Sequence, residues 1–225
     1  MTAYYGDFYP DHSDGHLESV DGAQAGQEAG WGAIGVWAWG LSRILDQLEQ
    51  NEYIDAARVI ALGHSRLGKA ALWAGAQDAR FAAVISNNSG AMGAAISRRR
   101  FGETVKLITA FYPHWFSESF IGYADREDEL PVDQHQLLGL IAPRPVYVAS
   151  ASTDLWADPR GEFTAAAKVA ELYRLYGMQT DSFAEMPAPG EAIRGPVSYH
   201  LREGGHDMLP FDWAHFMDFA DALDQ

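Results

Sequence analysis

The sequence has no cysteine and comparatively few basic residues. Without cysteine, the chain can form no disulfide, offers no thiol nucleophile and cannot bind zinc through thiolates. Sixteen Lys and Arg residues stand against 31 Asp and Glu residues, which gives a formal net charge of −15 at pH 7. Nucleic acids and anionic membranes need a basic surface on their protein partner. We therefore expect no nucleic acid and no membrane as partners, and any anionic group must be bound by a few local cations.

Long apolar runs and nucleotide-binding signatures are also missing. No uninterrupted apolar stretch approaches the roughly 20 residues that a membrane-spanning helix needs. The first residues, MTAYYGDFYPD, lack the basic segment and apolar core of a signal peptide. The sequence contains neither a Gly-rich phosphate loop nor a dinucleotide fingerprint. We therefore expect the chain as given to be soluble and find no motif for a nucleotide cofactor.

Two patterns near the N-terminus only partly match metal-binding motifs. His12 and His16 in PDHSDGH have i, i+4 spacing, but the surrounding Gly and Asp residues indicate a turn and not a helix. The acid-rich turn from Asp11 to Asp14 lacks the twelve-residue spacing and the terminal Glu of a calcium loop. We predict no metal site here.

Strand and helix patterns alternate along most of the chain, without an internal repeat. This alternation favours a mostly parallel sheet covered by helices, and a chain of 225 residues that is 48% hydrophobic can bury one full core. We predict a single α/β domain over residues 1–225, with a long loop at 6–32 and site-building insertions at 89–140. The predicted strands cover 58–62, 81–86, 144–151 and 197–201, and the predicted helices cover 34–48, 67–77 and 162–176, the last of these ending at Gly177. A terminal helix is predicted to be capped by Asp212, with apolar positions at Trp213, Phe216, Met217, Ala220 and Leu223.

A serine lies in the stretch GHSRLGK, residues 63–69, between a predicted strand and a predicted helix. A serine on such a bend has the placement of a nucleophile elbow, and the helix N-terminus favours negative charge there. The stretch departs from the generic G-x-S-x-G motif, because Arg66 and Leu67 separate Ser65 from Gly68. The short stretch alone is equally consistent with a turn whose serine caps the helix.

An acid and a histidine follow this serine in the chain order of α/β-hydrolases. Asp154 comes just after the predicted strand RPVYVASA, and His206 lies on a glycine-rich loop before the last predicted helix. A serine nucleophile needs a base and an acid that orients the base. Each residue alone suits a solvated or capping role, but together they predict an α/β-hydrolase fold with a triad of Ser65, Asp154 and His206.

The sequence resembles the glucuronoyl esterases of carbohydrate esterase family 15, which carry a G-x-S-R-x-G-K nucleophile motif. The resemblance continues through SNNSG, SRRRFGET, FYPHWF, LPVDQHQLLGLIAPRPVYVASASTDLWADP and GGHDMLPFDW, so it covers essentially the whole chain. Members cleave esters between the carboxyl of 4-O-methylglucuronic acid on xylan and alcohols of lignin, and they need no metal or other cofactor. The resemblance implies a serine carboxylester hydrolase whose partner is a glucuronoxylan or lignin–carbohydrate ester.

The resemblance also implies a role for each matching residue. Ser65 would be the nucleophile, His206 the base, and Arg66 the residue that stabilises the oxyanion. The residues that would contact the uronic-acid sugar are Lys69, Glu103 and Trp156. Without the resemblance, the two charged residues of this group suit a solvated surface and the tryptophan suits a packed core.

One position departs from the pattern of some members. These place the triad acid in an E-S-G-like string after the strand that follows the nucleophile helix, whereas here the string reads NNSG, residues 87–90. The amide of Asn88 carries no charge to stabilise an imidazolium, so Asn88 cannot be the orienting acid. Asp154, at the position that other members use, is the preferred acid, with Asp158 and Asp207 as weaker candidates.

The chain also begins late relative to the family, at about the fourth strand of the usual sheet. A sheet without its first strands exposes apolar surface and unpaired backbone unless something covers them. Three explanations stay open at this point: a fragment, a truncated natural form, and a homodimer across the open edge. The resemblance suggests a secreted or periplasmic protein.

Two other functions are consistent with the sequence. The first is an acetyl xylan esterase or a carboxylesterase for small esters. Sugar contacts from Lys69, Glu103 and Trp156 favour the uronate over this alternative, because an acetyl group needs no such contacts on the acyl side. The second alternative, motivated by the late start of the chain, is a non-catalytic carbohydrate-binding or assembly subunit.

Overall fold

The computed structural model describes residues 1–11 and 30–223, and a five-stranded sheet lies at its centre. The strands are β1 (Ile60–His64), β2 (Ala83–Asn87), β3 (Val146–Ala151), β4 (Glu191–Ile193) and β5 (Val197–Arg202). Their order in the sheet is β1-β2-β3-β5-β4, in which β1, β2, β3 and β5 run parallel and β4 pairs antiparallel with β5. The predicted mostly parallel sheet is confirmed.

The helices alternate with the strands. The α-helices of the described residues are α1 (Ala33–Leu48), α2 (Arg66–Gln77), α3 (Val105–Phe111), α4 (Glu118–Ile121), α5 (Gln134–Gly139), α6 (Pro159–Leu175) and α7 (Pro210–Ala222). Short 3-10 turns cover Tyr5–Asp7, Ala56–Arg58, Ser97–Arg99, Pro113–Trp115 and Glu127–Glu129.

Successive strand residues face two separate apolar cores. Val84 and Tyr199 pack with α1, α2, α5 and α6 on one face of the sheet. Ile85 and Tyr147 pack on the other face, against Phe216 of α7. This separation follows from the period of two residues in a strand. Strands β2, β3 and β5 are buried along their whole length, as parallel strands covered on both faces should be.

Each predicted strand and helix has a counterpart in the structure, displaced by a few residues. The strands β1, β2 and β3 begin two residues later than predicted, and the 3-10 turn Ala56–Arg58 occupies the predicted start of β1. Helix α6 begins at Pro159 because proline fits the first helical turn, which needs no donor at that position. The predicted glycine stop is confirmed, since Gly177 has a φ of +76° and donates its N–H to the carbonyl of Arg174.

The predicted cap of the terminal helix is wrong. Helix α7 begins at Pro210, so Asp212 lies inside its first turn, where the carboxylate accepts the backbone N–H of Leu209 at 2.6 Å. Asp212 is fully buried. Its position three residues after the cap explains the error, because an acidic residue at either position is typical of a helix start.

The buried face of α7 also differs from its prediction. Phe216 and Phe219 are buried, whereas Trp213 and Met217, predicted apolar positions, are 44% and 59% exposed. Asp212, Phe216 and Phe219 share one face of the helix because they are four and three residues apart. The inward face therefore starts with a carboxylate, and a purely hydrophobic pattern places it incorrectly.

Residues 89–140 form short helices and turns beside the main sheet. Ile108 and Trp115 from this segment pack with Tyr9 and Trp37 into an apolar core of their own. The segment thereby joins the N-terminal residues to the region around α2, and its interpretation as an insertion within one domain stays a prediction.

Strand β1 forms one edge of the sheet, and no strand in the described ranges pairs with its outer side. Dimerisation across this edge stays a prediction. Within the same ranges no helix is both long and apolar enough to cross a membrane. The histidines at 12 and 16, and most of the loop predicted at 6–32, lie outside the residues that the structure describes.

Candidate active site

Ser65 lies on a sharp bend between β1 and α2. Its φ of 58° and ψ of −127° are backbone angles that residues with a side chain rarely adopt. The bend is fixed to the sheet, because Ser65 donates its backbone N–H to the carbonyl of Asn87 on β2 at 2.9 Å. Ser65 therefore has the strand–turn–helix position of a nucleophile elbow.

Two glycines allow α2 to pack closely against the end of β1 and the loop after β2. A Cβ atom on Gly63 would lie 2.0 Å from the carbonyl oxygen of Leu67, and one on Gly68 would lie 2.9 Å from the Cβ of Ser89. Both distances are shorter than van der Waals contact. The generic motif would place its second glycine at position 67. In this protein the position without room for a side chain is Gly68, which accounts for the departure from the motif.

His206 and Asp154 are joined by a short hydrogen bond. The Nδ1 atom of His206 lies 2.6 Å from Oδ2 of Asp154, which follows β3 and is 5% exposed. The imidazole of His206 packs at 4.6 Å between ring centroids against His64, the residue immediately before Ser65. Burial lowers the pKa of His64, so that this neighbour adds little positive charge beside His206 near neutral pH. The structure thus brings His206 against Asp154 and beside the residue that precedes Ser65, and the triad of all three residues stays a prediction.

The weaker acid candidates are engaged elsewhere. Asp158 pairs with Arg99 at 2.7 Å, and the carboxylate of Asp207 accepts the backbone N–H of Met208 at 2.8 Å. Asn88 donates its side-chain N–H to the backbone carbonyl of Asp207 at 3.1 Å. The amide at the alternative acid position therefore contacts the backbone next to the histidine and not its ring.

Arg66 is held beside the elbow by an ion pair with Asp11. Its guanidinium lies 4.9 Å from the ring centroid of Trp115, and the same carboxylate accepts N–H groups from Trp115 and His114 at 2.7 and 3.0 Å. Burial alone would raise the pKa of Asp11, but these hydrogen bonds and Arg66 outweigh it and hold the pKa below its usual value. The sequence analysis missed this role of Asp11, although FYPHWF, which supplies the other two side chains, is one of the motifs shared with the family.

Lys69 is buried and not solvated. Its Nζ atom donates to the backbone carbonyls of Ser89 and Ala91 at 2.6 Å each and lies 3.4 Å from Oε2 of Glu103. Burial lowers the pKa of Lys69, and the neighbouring carboxylate opposes that shift. An ammonium has three donors, so all of them have partners here, and that to Glu103 is the longest.

Glu103 links the buried lysine to an exposed indole. Its Oε1 atom accepts the Nε1–H of Trp156 at 3.1 Å, and its backbone N–H donates to the carbonyl of Trp156 at 2.9 Å. Trp156 is 47% exposed, so it is not a core residue. The chain from Lys69 through Glu103 to Trp156 therefore ends in a partly open aromatic surface.

A second buried carboxyl, Glu162, joins the end of β3 to the loop that follows β2. It accepts hydrogen bonds from the hydroxyl of Ser150 at 2.6 Å and from the backbone N–H of Gly90 at 2.9 Å. Burial raises its pKa to about 7. The sequence analysis missed Glu162, because a glutamate in the first turn of a helix ordinarily faces solvent.

Clusters of three or more histidine, aspartate or glutamate side chains able to hold a metal ion do not occur among residues 1–11 and 30–223. A serine on an elbow, an imidazole fixed by a carboxylate and an adjacent arginine are the groups that acyl transfer requires.

Several known proteins are similar to this chain in sequence and fold. Carbohydrate esterase MZ0003, from an unknown prokaryotic organism, is 51% identical over 191 residues, which are 85% of this chain and 44% of that protein. The 4-O-methyl-glucuronoyl methylesterase of Podospora anserina is 41% identical over 127 residues, covering 52% of this chain and 26% of the relative. The solved glucuronoyl esterase of Solibacter usitatus superposes with a TM-score of 0.87 at 44% identity, over 98% of this chain and 58% of the other.

These relatives are longer than the chain, which spans between about a quarter and three fifths of their length. A family model described as glucuronyl esterase of fungi matches residues 25–177. That match covers more than half of the 225 residues and includes Ser65, Lys69, Glu103 and Asp154. The chain belongs to the glucuronoyl esterase family, carbohydrate esterase family 15.

Proposed function

We propose that the chain is a serine esterase that hydrolyses esters of glucuronic or 4-O-methylglucuronic acid through an acyl-enzyme. Ser65 attacks the C6 carbonyl, and His206 accepts the serine proton and passes it to the leaving alcohol. Asp154 orients the imidazole and stabilises its protonated form. A water molecule, deprotonated by His206, then attacks the acyl-enzyme, which releases the uronic acid and regenerates Ser65.

The observation that carries this proposal is the 2.6 Å contact between His206 and Asp154 beside the strained bend at Ser65. A short charge-assisted hydrogen bond fixes one nitrogen of the imidazole and leaves the other for the serine hydroxyl. A serine with a purely structural role does not need a positive φ, whereas a serine on a nucleophile elbow does.

Arg66 supplies the donors for the oxyanion in this proposal. Its backbone N–H lies in the first turn of α2, where N–H groups have no partner within the helix. The guanidinium is oriented by Asp11 and by its stacking on Trp115. Loss of one donor to an oxyanion typically costs on the order of a hundredfold or more in kcat.

The uronate specificity rests on three side chains joined by hydrogen bonds, Lys69, Glu103 and Trp156. The indole of Trp156 offers an apolar surface for a sugar ring. Glu103, whose contact with Lys69 at 3.4 Å is the longest of its hydrogen bonds, offers a carboxylate acceptor for a sugar hydroxyl beside the indole. The Podospora anserina relative is a 4-O-methyl-glucuronoyl methylesterase, which agrees with this class of substrate.

The test is the initial rate on a benzyl ester of glucuronic acid beside that on p-nitrophenyl acetate. Both substrates are given to the wild-type chain and to Ser65→Ala, after circular dichroism has shown that both are folded. Serine-dependent turnover that favours the uronate ester supports the proposal. Serine-dependent turnover of the acetate alone supports the small-ester alternative, and binding of xylan without any turnover supports the carbohydrate-binding subunit.

The remaining partner and localisation predictions belong to the same proposal. The substrate is a xylan or lignin ester outside the cell, which agrees with the exported location that the family resemblance suggests. A homodimer across the outer edge of β1 is tested by sedimentation velocity, with a monomer at all concentrations as the contradicting result.

A further inference from the structure

A buried ionic cluster lies beneath the loop that carries His206. Arg202, at the end of β5, is 4% exposed, and its Nε atom lies 2.8 Å from Oδ2 of Asp212, which is fully buried in α7. The other oxygen of Asp212 lies 2.8 Å from Nε2 of His200, whose Nδ1 is 2.9 Å from the hydroxyl of Tyr147. The guanidinium is therefore fixed by Asp212, whose two carboxylate oxygens both have hydrogen-bond partners.

The other three hydrogen bonds of Arg202 all go to the backbone of the histidine loop, residues 203–207. Nη1 donates to the carbonyl of Glu203 at 2.7 Å, and Nη2 donates to the carbonyls of Gly205 and Asp207 at 2.8 and 2.9 Å. These three carbonyls flank His206 on both sides. One side chain thus fixes the backbone immediately before and after the imidazole.

The loop has little rigidity of its own. Gly204 and Gly205 precede His206, and consecutive glycines have more accessible backbone conformations than any other pair of residues. Gly204 has a φ of +101°, and a Cβ atom there would lie 3.1 Å from Nη1 of Arg202. The chain therefore wraps closely around the guanidinium, in a conformation that glycine permits.

A second side chain supports the loop from the other direction. Asn88 donates to the carbonyl of Asp207 at 3.1 Å, the same carbonyl that accepts from Arg202. A buried ion pair alone adds little net stability, because the desolvation of both charges offsets their attraction. The arrangement of Arg202 is thus better explained by what its donors hold than by its pairing with Asp212.

We propose that Arg202 is a positioning residue that sets the place of His206 for proton transfer, with Asp212 as its anchor. This inference rests on the proposed function, since it assigns His206 the role of base. Arg202 does not reach the reacting atoms, so its removal should lower kcat and leave substrate binding almost unchanged. A lysine at this position keeps the charge but cannot reach all three carbonyls.

Arg144 provides a matched control at the other end of the sheet. Its guanidinium also donates to three backbone carbonyls, those of Gly75, Asp78 and Phe81, at 2.6, 3.1 and 3.0 Å. It precedes β3, so it lies far from the carboxyl ends of the strands where Ser65 and His206 are found. Both arginines are partly or fully buried, and only one holds the histidine loop.

The experiment compares Arg202→Lys with Arg144→Lys in three measurements: kcat and KM on the benzyl uronate ester, the rate at which a fluorophosphonate labels Ser65, and the NMR signal of the His206 Nδ1 proton. For Arg202→Lys we expect at least a tenfold fall in kcat, a KM within twofold of wild type, a parallel fall in labelling, and a broadened or lost proton signal. For Arg144→Lys we expect lower thermal stability with all three measurements unchanged per folded molecule.

Equal behaviour of the two variants overturns the inference while leaving the proposed function intact. If wild type hydrolyses no ester, the proposed function fails, and the proton signal still decides: its retention in Arg202→Lys overturns the positioning role. If Arg202→Lys does not fold, Asp212→Asn replaces it, because that change keeps the shape of the anchor and removes its charge. A severalfold lower kcat at constant KM then supports the inference, and an unchanged kcat overturns it.

Discussion

The proposed function divides the site into a catalytic side and a sugar side, which are built in different ways. On the catalytic side, Ser65, Asp154 and His206 each follow a parallel strand and lie on short loops tied to the sheet. On the sugar side, Glu103 and Trp156 come from irregular loops whose position depends on a buried ion pair with Lys69. Under the proposed function, the fold itself fixes the catalytic geometry, whereas specificity depends on a few buried polar contacts. Damage to the first side should abolish chemistry, and damage to the second should weaken stability and binding.

The largest expected effect is on the catalytic side. Asp154→Asn should lower kcat by about 10⁴-fold, because the amide favours the wrong tautomer of His206. Measurement of kcat on the benzyl uronate ester checks this, with near-UV circular dichroism to show that the fold is retained. A loss below tenfold would mean that another acid orients His206, and Asp207→Asn in the same background would then identify it.

The next effect tests the buried ion pair of the sugar side. Lys69→Met should lower the free energy of unfolding by roughly 3–5 kcal/mol, because Glu103 is left charged and buried without its partner. The matched control is Lys106→Met, which breaks an exposed pair with Asp125 at 2.7 Å and should leave the free energy of unfolding almost unchanged. Urea denaturation measures both, and equal losses would contradict the structural role of Lys69.

Glu162, which is buried between Ser150 and Gly90, should make stability depend on pH. Its pKa is raised from 4.5 to about 7 in the folded chain, so its stabilising contribution is present below pH 4.5 and is lost as the pH rises through 7. The free energy of unfolding of wild type relative to Glu162→Gln should therefore fall by on the order of 2–3 kcal/mol between pH 4.5 and pH 8. Histidines titrate in both proteins, so the difference isolates this carboxyl. A pH-independent difference would contradict the raised pKa.

The smallest effect concerns the exposed end of the sugar side. Trp156→Phe keeps an aromatic surface but removes the N–H that contacts Glu103 at 3.1 Å. We expect KM for the uronate ester to rise about fivefold, the equivalent of roughly 1 kcal/mol, with kcat little changed. Turnover of p-nitrophenyl acetate, which lacks the sugar, serves as the internal control. A larger change on the acetate than on the uronate would rule out a role in sugar recognition.

The same division explains what the sequence could predict. The order of Ser65, Asp154 and His206, each after a strand pattern, predicts a triad, because parallel strands bring their carboxyl ends to one edge of a sheet. The burial of Lys69 has no local signal, since a lysine one turn into a helix ordinarily faces solvent. Arg202 and Asp212 were equally hidden, because their pairing depends on the packing of α7 against β5. The role of Asp11 beside Arg66 depends on a contact across 55 positions of the chain.

The displaced glycine of the elbow has a consequence for how such proteins are found. The bend needs a residue without a side chain in the first turn of α2, where the helix passes close to Ser89, and in this protein that residue is Gly68. A text search for G-x-S-x-G would pass over this sequence although its strand and helix meet as tightly as the motif demands. A search for spatial crowding, in which any glycine within one helical turn after the serine is accepted if a methyl group there would collide, would retrieve it.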